Sequence, residues 1–358
     1  MIQAGIRKTC RTRPGEHGFR LEAEFVAAEG VTAVFGPAGA GKTILLEAIA
    51  GLVKPDEGRI LVDGRLLFDG AAGVDLPPVS RPCGYLPRGS ALFPHMTLRD
   101  NLLFAAGCRH LPRLEGHRRV NDLLERFGLA PVSRRHPREI ATVDQQRSVI
   151  ARALVGQPKL LLVDDLASEL DAPLRSQWYD LLRLVRSEFD LSILVSTREV
   201  EDCFELGDEM LVLIGGKLAQ AGTPRLVMDQ PAGVEVARAL GSYNLLPVEI
   251  TALDPARKTS RLRLGEGELV GPYFPGRLRG DRVTLCVRPT ELAALPAAGR
   301  PDLNQVAGRL LRVTEMPRSV RLQFEGEITV EITPAEYQQR KHHREWVIEF
   351  PPQCLRVL

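Results

Sequence analysis

At 358 residues, 44% hydrophobic and 26% charged, the chain has the composition of a folded protein with room for two cores and not of a disordered one. A formal net charge of +2 is nearly neutral for this size and gives no electrostatic case for nucleic acid or an anionic membrane surface as a partner. No apolar run approaches the ~20 residues of a membrane span, so no direct insertion is expected and membrane association would come through another chain.

In chain order, residues 2–35 read as short strands. Phe19-Arg20-Leu21-Glu22-Ala23-Glu24-Phe25 alternates like a half-buried strand, and Val31-Thr32-Ala33-Val34-Phe35 reads as a buried parallel one. Residues 1–15 carry Arg and Lys without an apolar core, unlike a secretory signal. Gly36-Pro37-Ala38-Gly39-Ala40-Gly41-Lys42-Thr43 follows, and residues 44–50 read as a helix with Gly51 as its C-cap. Strand, glycine-rich loop and helix form the context that a G-x-x-x-x-G-K-[ST] match needs to be a phosphate-binding loop. Main-chain N–H groups would cradle phosphate at the positive end of the helix dipole. Lys42 would reach the β- and γ-phosphates, and the Thr43 hydroxyl would hold Mg²⁺.

Residues 59–64 and 84–86 read as further strands, with Leu76-Pro77-Pro78 and Arg81-Pro82 marking a loop. From Thr97 the period becomes helical, through Leu98, Asn101, Leu102 and Ala105 and through Val120, Leu123, Leu124 and Phe127. Residues 97–157 are therefore expected as a helical insertion. Leu160-Leu161-Leu162-Val163-Asp164 is a buried strand ending in an acid, which would orient Mg²⁺. A helix near 172–188 and a strand at Ser192-Ile193-Leu194-Val195-Ser196 follow. The expected class is α/β, a mostly parallel sheet with helices on its faces. After about Gly241 come short strand-like runs, 283–287, 308–313, 320–324, 329–332 and 346–350, rich in Pro and Gly between them; this reads as a small all-β, barrel-like domain. The domains are placed at 1–235 and 242–358, with the linker near 231–245. The six cysteines, Cys10, Cys83, Cys108, Cys203, Cys286 and Cys354, are scattered and read as reduced thiols, not as a disulfide or zinc framework.

Further stretches fall into one pattern. Leu92-Phe93-Pro94-His95-Met96-Thr97 with Asn101 looks like the segment after the Q-loop of importer ATPases. Gln145-Gln146-Arg147, Ala151-Arg152-Ala153-Leu154 and Pro158-Lys159-Leu160-Leu161-Leu162 look like the helix and strand after an ABC signature, and Ser168-Glu169-Leu170-Asp171 resembles a D-loop. The chain resembles the ATP-binding subunit of an ABC transporter. It is most similar to the molybdate-importer type, from Leu76-Pro77-Pro78, Arg81-Pro82-Cys83-Gly84-Tyr85 and a β-rich tail similar to a TOBE/MOP-like regulatory extension. In that tail Val287-Arg288-Pro289 and Leu303-Asn304-Gln305-Val306 are the markers.

The resemblance implies ATP and Mg²⁺ as cofactors and a P-loop NTPase fold. It implies nucleotide contacts from Gly36, Pro37, Ala38, Gly39, Ala40, Gly41, Lys42, Thr43 and Ile44 and, across a dimer, from Ala141, Thr142 and Val143. Thr43 and Asp164 would hold the metal. The partners implied are integral membrane permease subunits and a second ATPase chain, in a homodimer or heterodimer. The place implied is peripheral, on the cytoplasmic face of the inner membrane.

The departures from that pattern fall on positions that perform chemistry. The Q-loop glutamine is Arg88, readable as a solvated loop arginine or as a charge clamp on phosphate. The signature aligns with Ile140-Ala141-Thr142-Val143-Asp144, which lacks the serine hydroxyl and both glycines. The catalytic glutamate is Asp165, one methylene shorter, with Leu166 in place of a proline, and the switch histidine is Thr197. A shift near 1 Å can cost on the order of a hundredfold in rate. The adenine-stacking aromatic is Phe19 or Phe19 is a core residue. Three readings follow: an active transport ATPase with catalytic roles at Asp165, Thr197 and Arg88; a slow or non-catalytic subunit of the same architecture; and a soluble ABC-type ATPase without a permease, disfavoured by the importer-like tail and near-neutral charge.

Overall fold

The computed structural model describes residues 1–10, 18–89, 92–165, 167, 170–297, 301–343 and 345–358. The chain divides into two units, Met1–Gln230 and Pro231–Leu358. The first runs β1 (Ile2–Cys10), β2 (Phe19–Ala27), β3 (Val31–Phe35), α1 (Lys42–Ala50), β4 (Glu57–Val62), β5 (Arg65–Asp69), β6 (Val74–Asp75), β7 (Cys83–Leu86), α2 (Leu98–Cys108), α3 (Arg113–Arg126), α4 (Thr142–Leu154) and β8 (Leu160–Asp164). It continues through α5 (Ala172–Glu188), β9 (Ser192–Thr197), α6 (Val200–Leu206), β10 (Glu209–Ile214), β11 (Lys217–Gly222) and α7 (Pro224–Asp229).

These strands form an 11-stranded sheet in the order β6-β5-β4-β1-β2-β11-β10-β3-β9-β8-β7. From β10 to β7 every neighbour is parallel. A parallel strand must be covered on both faces, and every residue of β3, β8 and β9 is buried. The other half is antiparallel except between β2 and β11, which pair parallel, and Arg20, Glu22 and Glu24 alternate outward along β2. β4 and β5 meet at Asp63-Gly64, both left-handed, as a two-residue hairpin requires. The strand read over 59–64 therefore ends two residues earlier, because Asp63 and Gly64 are its turn.

Helix α1 inserts Leu45, Leu46 and Ile49 into a core shared with Ile60, Leu162 and Leu194. Its last carbonyls receive a buried cation: Arg81, fully buried, donates to Ala48 O at 2.7 Å and Ile49 O at 2.8 Å, and to Asp75 Oδ1 at 3.0 Å. A cation there complements the helix dipole and fixes the helix that carries the loop. Gly51 is left-handed (φ 84°) and caps the same end. The stretch read as a helical insertion, 97–157, holds α2, α3 and α4. Thr97 caps α2 by accepting from Asp100 N at 3.2 Å. Asn101, fully buried, ties down the preceding loop by accepting from Phe93 N at 2.8 Å and donating to Thr97 O at 3.0 Å.

The second unit contains α8 (Val234–Leu240), β12 (Asn244–Asp254), β13 (Thr259–Leu264), β14 (Gly267–Pro272), β15 (Arg282–Val287), β16 (Ala293–Pro296), β17 (Gln305–Gly308), β18 (Leu310–Glu315), β19 (Val320–Phe324), β20 (Ile328–Ile332), α9 (Pro334–Arg340), β21 (Trp346–Glu349) and β22 (Arg356–Val357). Its sheets, ordered β14-β13-β12-β15-β22, β16-β21-β17 and β18-β19-β20, surround one core built on Leu246, Leu262, Leu285, Leu322, Phe324, Trp346 and Phe350. Asn304 joins two segments by accepting from Val270 N at 2.7 Å and donating to Phe350 O at 2.9 Å.

Three expectations are corrected here. The segment read as a linker, 231–245, contains helix α8, capped by left-handed Gly241. The run 308–313 is two strands parted at Arg309. β12, β13 and β14 were not among the strands expected. Pro247 sits where β12 pairs with β15 alone, since its pairing with β13 begins only at Glu249, and a proline without a donor is tolerated on a free edge.

Candidate functional site

The sheet register alone assembles the site. Phe35 pairs with Thr197, Ser196 with Asp164, and Val163 with Leu86. The residues that follow β3, β9, β8 and β7 therefore leave one edge of the sheet together: the loop at Gly36, Arg198, Asp165 and Arg88. The carboxyl edge of parallel strands is where α/β folds bind ligands.

The loop has the geometry its glycines permit. Gly39 (φ 78°) and Gly41 (φ 99°) are left-handed. A Cβ on Gly36 would lie 2.2 Å from Leu213 O, so the backbone passes there only without a side chain. Gly41 is the N-cap of α1 and no side chain caps it, which leaves the first-turn N–H groups to an anion. The ammonium of Lys42, largely buried, donates to Gly36 O at 2.6 Å and Pro37 O at 3.0 Å. Burial lowers its pKa, partly offset by Asp165 and Asp164, with Arg198 and Arg88 adding to the fall.

Thr43 donates its hydroxyl to Asp164 Oδ2 at 2.9 Å, and Ser196 donates to Asp164 Oδ1 at 2.7 Å. Asp164 is 3% exposed. A hydroxyl and a carboxylate held together beside a phosphate cradle are the hard oxygen donors that Mg²⁺ takes, so Thr43 and Asp164 fit that ion. The Asp164 charge also acts outward. Burial raises the pKa of Glu47 and of Tyr85, and Asp164 adds to both.

At the altered positions the structure gives a different account from the sequence. The Arg88 side chain is half exposed, and its Nη2 pairs with Asp165 Oδ2. Arg198 Nε reaches the same oxygen at 3.2 Å. Asp165 is 1% exposed and left-handed (φ 49°), a conformation aspartate tolerates better than most residues. A buried carboxylate needs partners, and two arginines supply them. Asp165 is thus an ion-pair acceptor in the position that the sequence reading gives to a shortened base.

Thr197 is likewise engaged by a neighbour. It is 1% exposed, and its hydroxyl donates to Asp202 Oδ2 at 2.5 Å. Tyr179 of α5 donates to the other oxygen of the same carboxylate. Thr197, at the position the sequence reading gives to the switch histidine, is therefore tied to a buried Tyr179–Asp202 network. Ser196, Arg198, Asp202 and Tyr179 were missed. Arg198 alone carried a signal, a second cation beside an altered motif.

Ala141 is the N-cap of α4, with Thr142 and Val143 as its first residues; no side chain caps it, and Ala141 and Thr142 are exposed. Of the three, Val143 lines, with Gln146 and Leu181, a cleft of about 550 Å³ whose lining includes no residue of the phosphate loop. The sequence assigned all three to a partner's nucleotide. Ser168, Glu169 and Leu166 lie outside the described residues; Asp171 caps α5, accepting from Leu174 N at 3.0 Å. Phe19 packs under the loop, where a Cβ on Gly41 would lie 2.7 Å from its ring. It also joins the core, so its packing is that of a support for Gly41.

Comparison with known proteins follows this geometry. A molybdenum import ATP-binding protein of Paramagnetospirillum magneticum is 33% identical over 293 residues, 80% of each chain. The chain belongs to the ABC transporter ATP-binding protein family. The ABC transporter family profile matches residues 24–168 of this ATP-binding protein, from β2 to the D-loop. A molybdate/tungstate import ATP-binding protein of Pyrococcus horikoshii is 40% identical over 213 residues, so the match spans 60% of that relative's length. In fold, the ATP-binding protein resembles an ATP-binding cassette solved as a dimer in a post-hydrolysis state with ADP and Pi. There the TM-score is 0.53 at 22% identity, over 63% of this chain and 99% of that one. No helix among the described residues is long and apolar enough to cross a membrane.

Proposed function

We propose that the chain is the ATP-binding subunit of an importer for an oxyanion of the molybdate or tungstate class, working with a separate membrane permease. The relatives' names support the oxyanion, and the loop built on Gly36, Gly39, Gly41, Lys42 and Thr43 supports ATP. Lys42 and the α1 N-terminus bind phosphate, and Thr43 and Asp164 hold Mg²⁺. When bound, the ion neutralises charge on the β- and γ-phosphates. Two such chains facing each other would each present the start of α4 to the other's nucleotide, and closure would drive the permease.

The second reading is that turnover is slow, and one observation favours it. Asp165 Oδ2 already accepts from Arg88 and Arg198, so the carboxylate in the water-polarising position is committed to cations. Thr197 is turned to Asp202 and not toward the loop. We hold the two readings together: a subunit that binds ATP well and hydrolyses it poorly.

Capture of the tagged chain from detergent-solubilised membranes tests the first reading. An integral membrane protein should co-purify, and deleting the chain should lower molybdate uptake but leave spermidine uptake unchanged. Capture of soluble proteins alone would contradict the importer assignment. Loss of spermidine uptake would replace the solute.

A further inference from the structure

We propose that the turn joining α2 to α3 is a basic tip that seats on anionic phospholipid headgroups, with Leu114 entering the interface. The inference goes beyond the importer reading and rests on it only for placing the chain beside a membrane. Its first support is the distribution of charge. Residues 97–157 carry eleven arginines against six acids, a net +5, although the whole chain is only +2. The near-neutral total conceals a basic helical insertion on a slightly acidic remainder.

The second support is which of those charges are free. Arg119 pairs with Glu115, Arg126 with Asp122 at 2.9 Å and Arg147 with Asp144 at 3.6 Å. Arg113 and Arg118 are exposed and make no ion pair among the described residues. The same holds for Arg134, Arg135 and Arg138 in the turn before α4, which extend the positive field. Guanidinium groups that the protein leaves unpaired remain for phosphate, which they grip through two parallel N–H bonds.

The third support is Leu114, 85% exposed. On α3 it precedes His117 and Arg118 by three and four residues, so the three share a face, and Arg113 adjoins it. A leucine standing alone among cations lacks the apolar surround of a protein interface core, and a nucleic-acid backbone gives it nothing to bury against. The membrane interface takes both, the apolar side chain below the headgroups and the cations at their phosphates. The tip is also held in place. Arg109, the C-cap of α2, donates to Val79 O at 2.8 Å, Arg81 O at 2.7 Å and Cys83 O at 2.6 Å. The acids further along α3 do not oppose the tip: Asp122 is paired with Arg126, and Glu125 lies two turns beyond Arg118.

The test is sedimentation of the full-length chain with phosphatidylcholine vesicles and with vesicles carrying about 30% phosphatidylglycerol. The unaltered protein should partition at least about tenfold more strongly to the anionic vesicles, and about 1 M salt should release it. Arg113→Glu/Arg118→Glu should lower that partition about thirtyfold, and Leu114→Ser about fivefold. Both variants should keep the ATP affinity of the unaltered protein, which shows that they fold, since neither change touches the phosphate loop. Leu114→Trp reads the seating directly. Trp178 and Trp346 are 1% and 2% exposed, so emission that moves to shorter wavelength with anionic vesicles alone reports position 114. The proposal is overturned by equal partition to both vesicles, by a double variant that partitions like the unaltered protein, or by emission that does not move. Should the double variant lose a co-purifying membrane protein while vesicles show no preference, the tip belongs to a protein partner and the lipid assignment falls. Vesicle preference without any captured membrane protein supports the tip and overturns the importer reading alone.

Discussion

The phosphate loop and the rim that faces it lie on the same sheet edge, yet they differ in kind. The loop keeps every device that phosphate binding requires. Gly36 passes Leu213 where no side chain fits, Gly41 opens the helix, and Lys42 is buried against the loop carbonyls. On the rim, each altered residue is engaged by another protein group: Arg88 with Asp165, Thr197 with Asp202. On the proposed function binding and turnover are separable, because the first depends on backbone shape and the second on side chains that here have other partners.

The largest expected effect sharpens the loop side. Lys42→Ala removes the ammonium and should weaken ATP binding by about a hundredfold or more, read by calorimetry. An unchanged affinity would break the comparison outright. Gly36→Ala should cost about 3 kcal/mol of unfolding free energy in a denaturant titration, since its Cβ meets a backbone oxygen at 2.2 Å. Gly39→Ala should cost only about 1 kcal/mol, as a Cβ there meets nothing within 4 Å and the penalty is the positive φ alone.

On the rim the effects are smaller and coupled. Asp165→Glu alone should raise ATPase less than about threefold, because Arg88 and Arg198 still hold the carboxylate. Combined with Arg88→Gln, the gain should exceed the product of the single changes. Simple multiplicativity would separate the ion pair from the loss of rate. Thr197→His should not raise turnover, and should cost about 2 kcal/mol by overpacking the buried Tyr179–Asp202 pocket. Tyr179→Phe should cost about 1 kcal/mol and leave ATP affinity unchanged.

What was legible in the sequence follows the same division. The loop, the buried strand to Asp164 and the helix after Asp171 are local patterns, and each reads from a few consecutive residues. The rim pairs are not local. Arg88 and Asp165 are 77 positions apart and meet only because Leu86 pairs with Val163 and both strands end at one edge. Sequence marked Arg88 and Asp165 as separate departures; their being one interaction required the register. The contact of Thr197 was not legible for the same reason, since its partner Asp202 lies on the next helix and is buried. In the second unit β12 was not expected, although Asn244, Leu246, Val248 and Ile250 alternate into the core as a strand should.

The most direct test of the separation is to measure ATP affinity and steady-state ATPase on one preparation, alone and in any membrane complex that co-purifies with it, beside Lys42→Ala. The account predicts saturable ATP binding with turnover below about 0.1 per second, some two orders under a median enzyme. Turnover of several per second that vanishes in Lys42→Ala would contradict it.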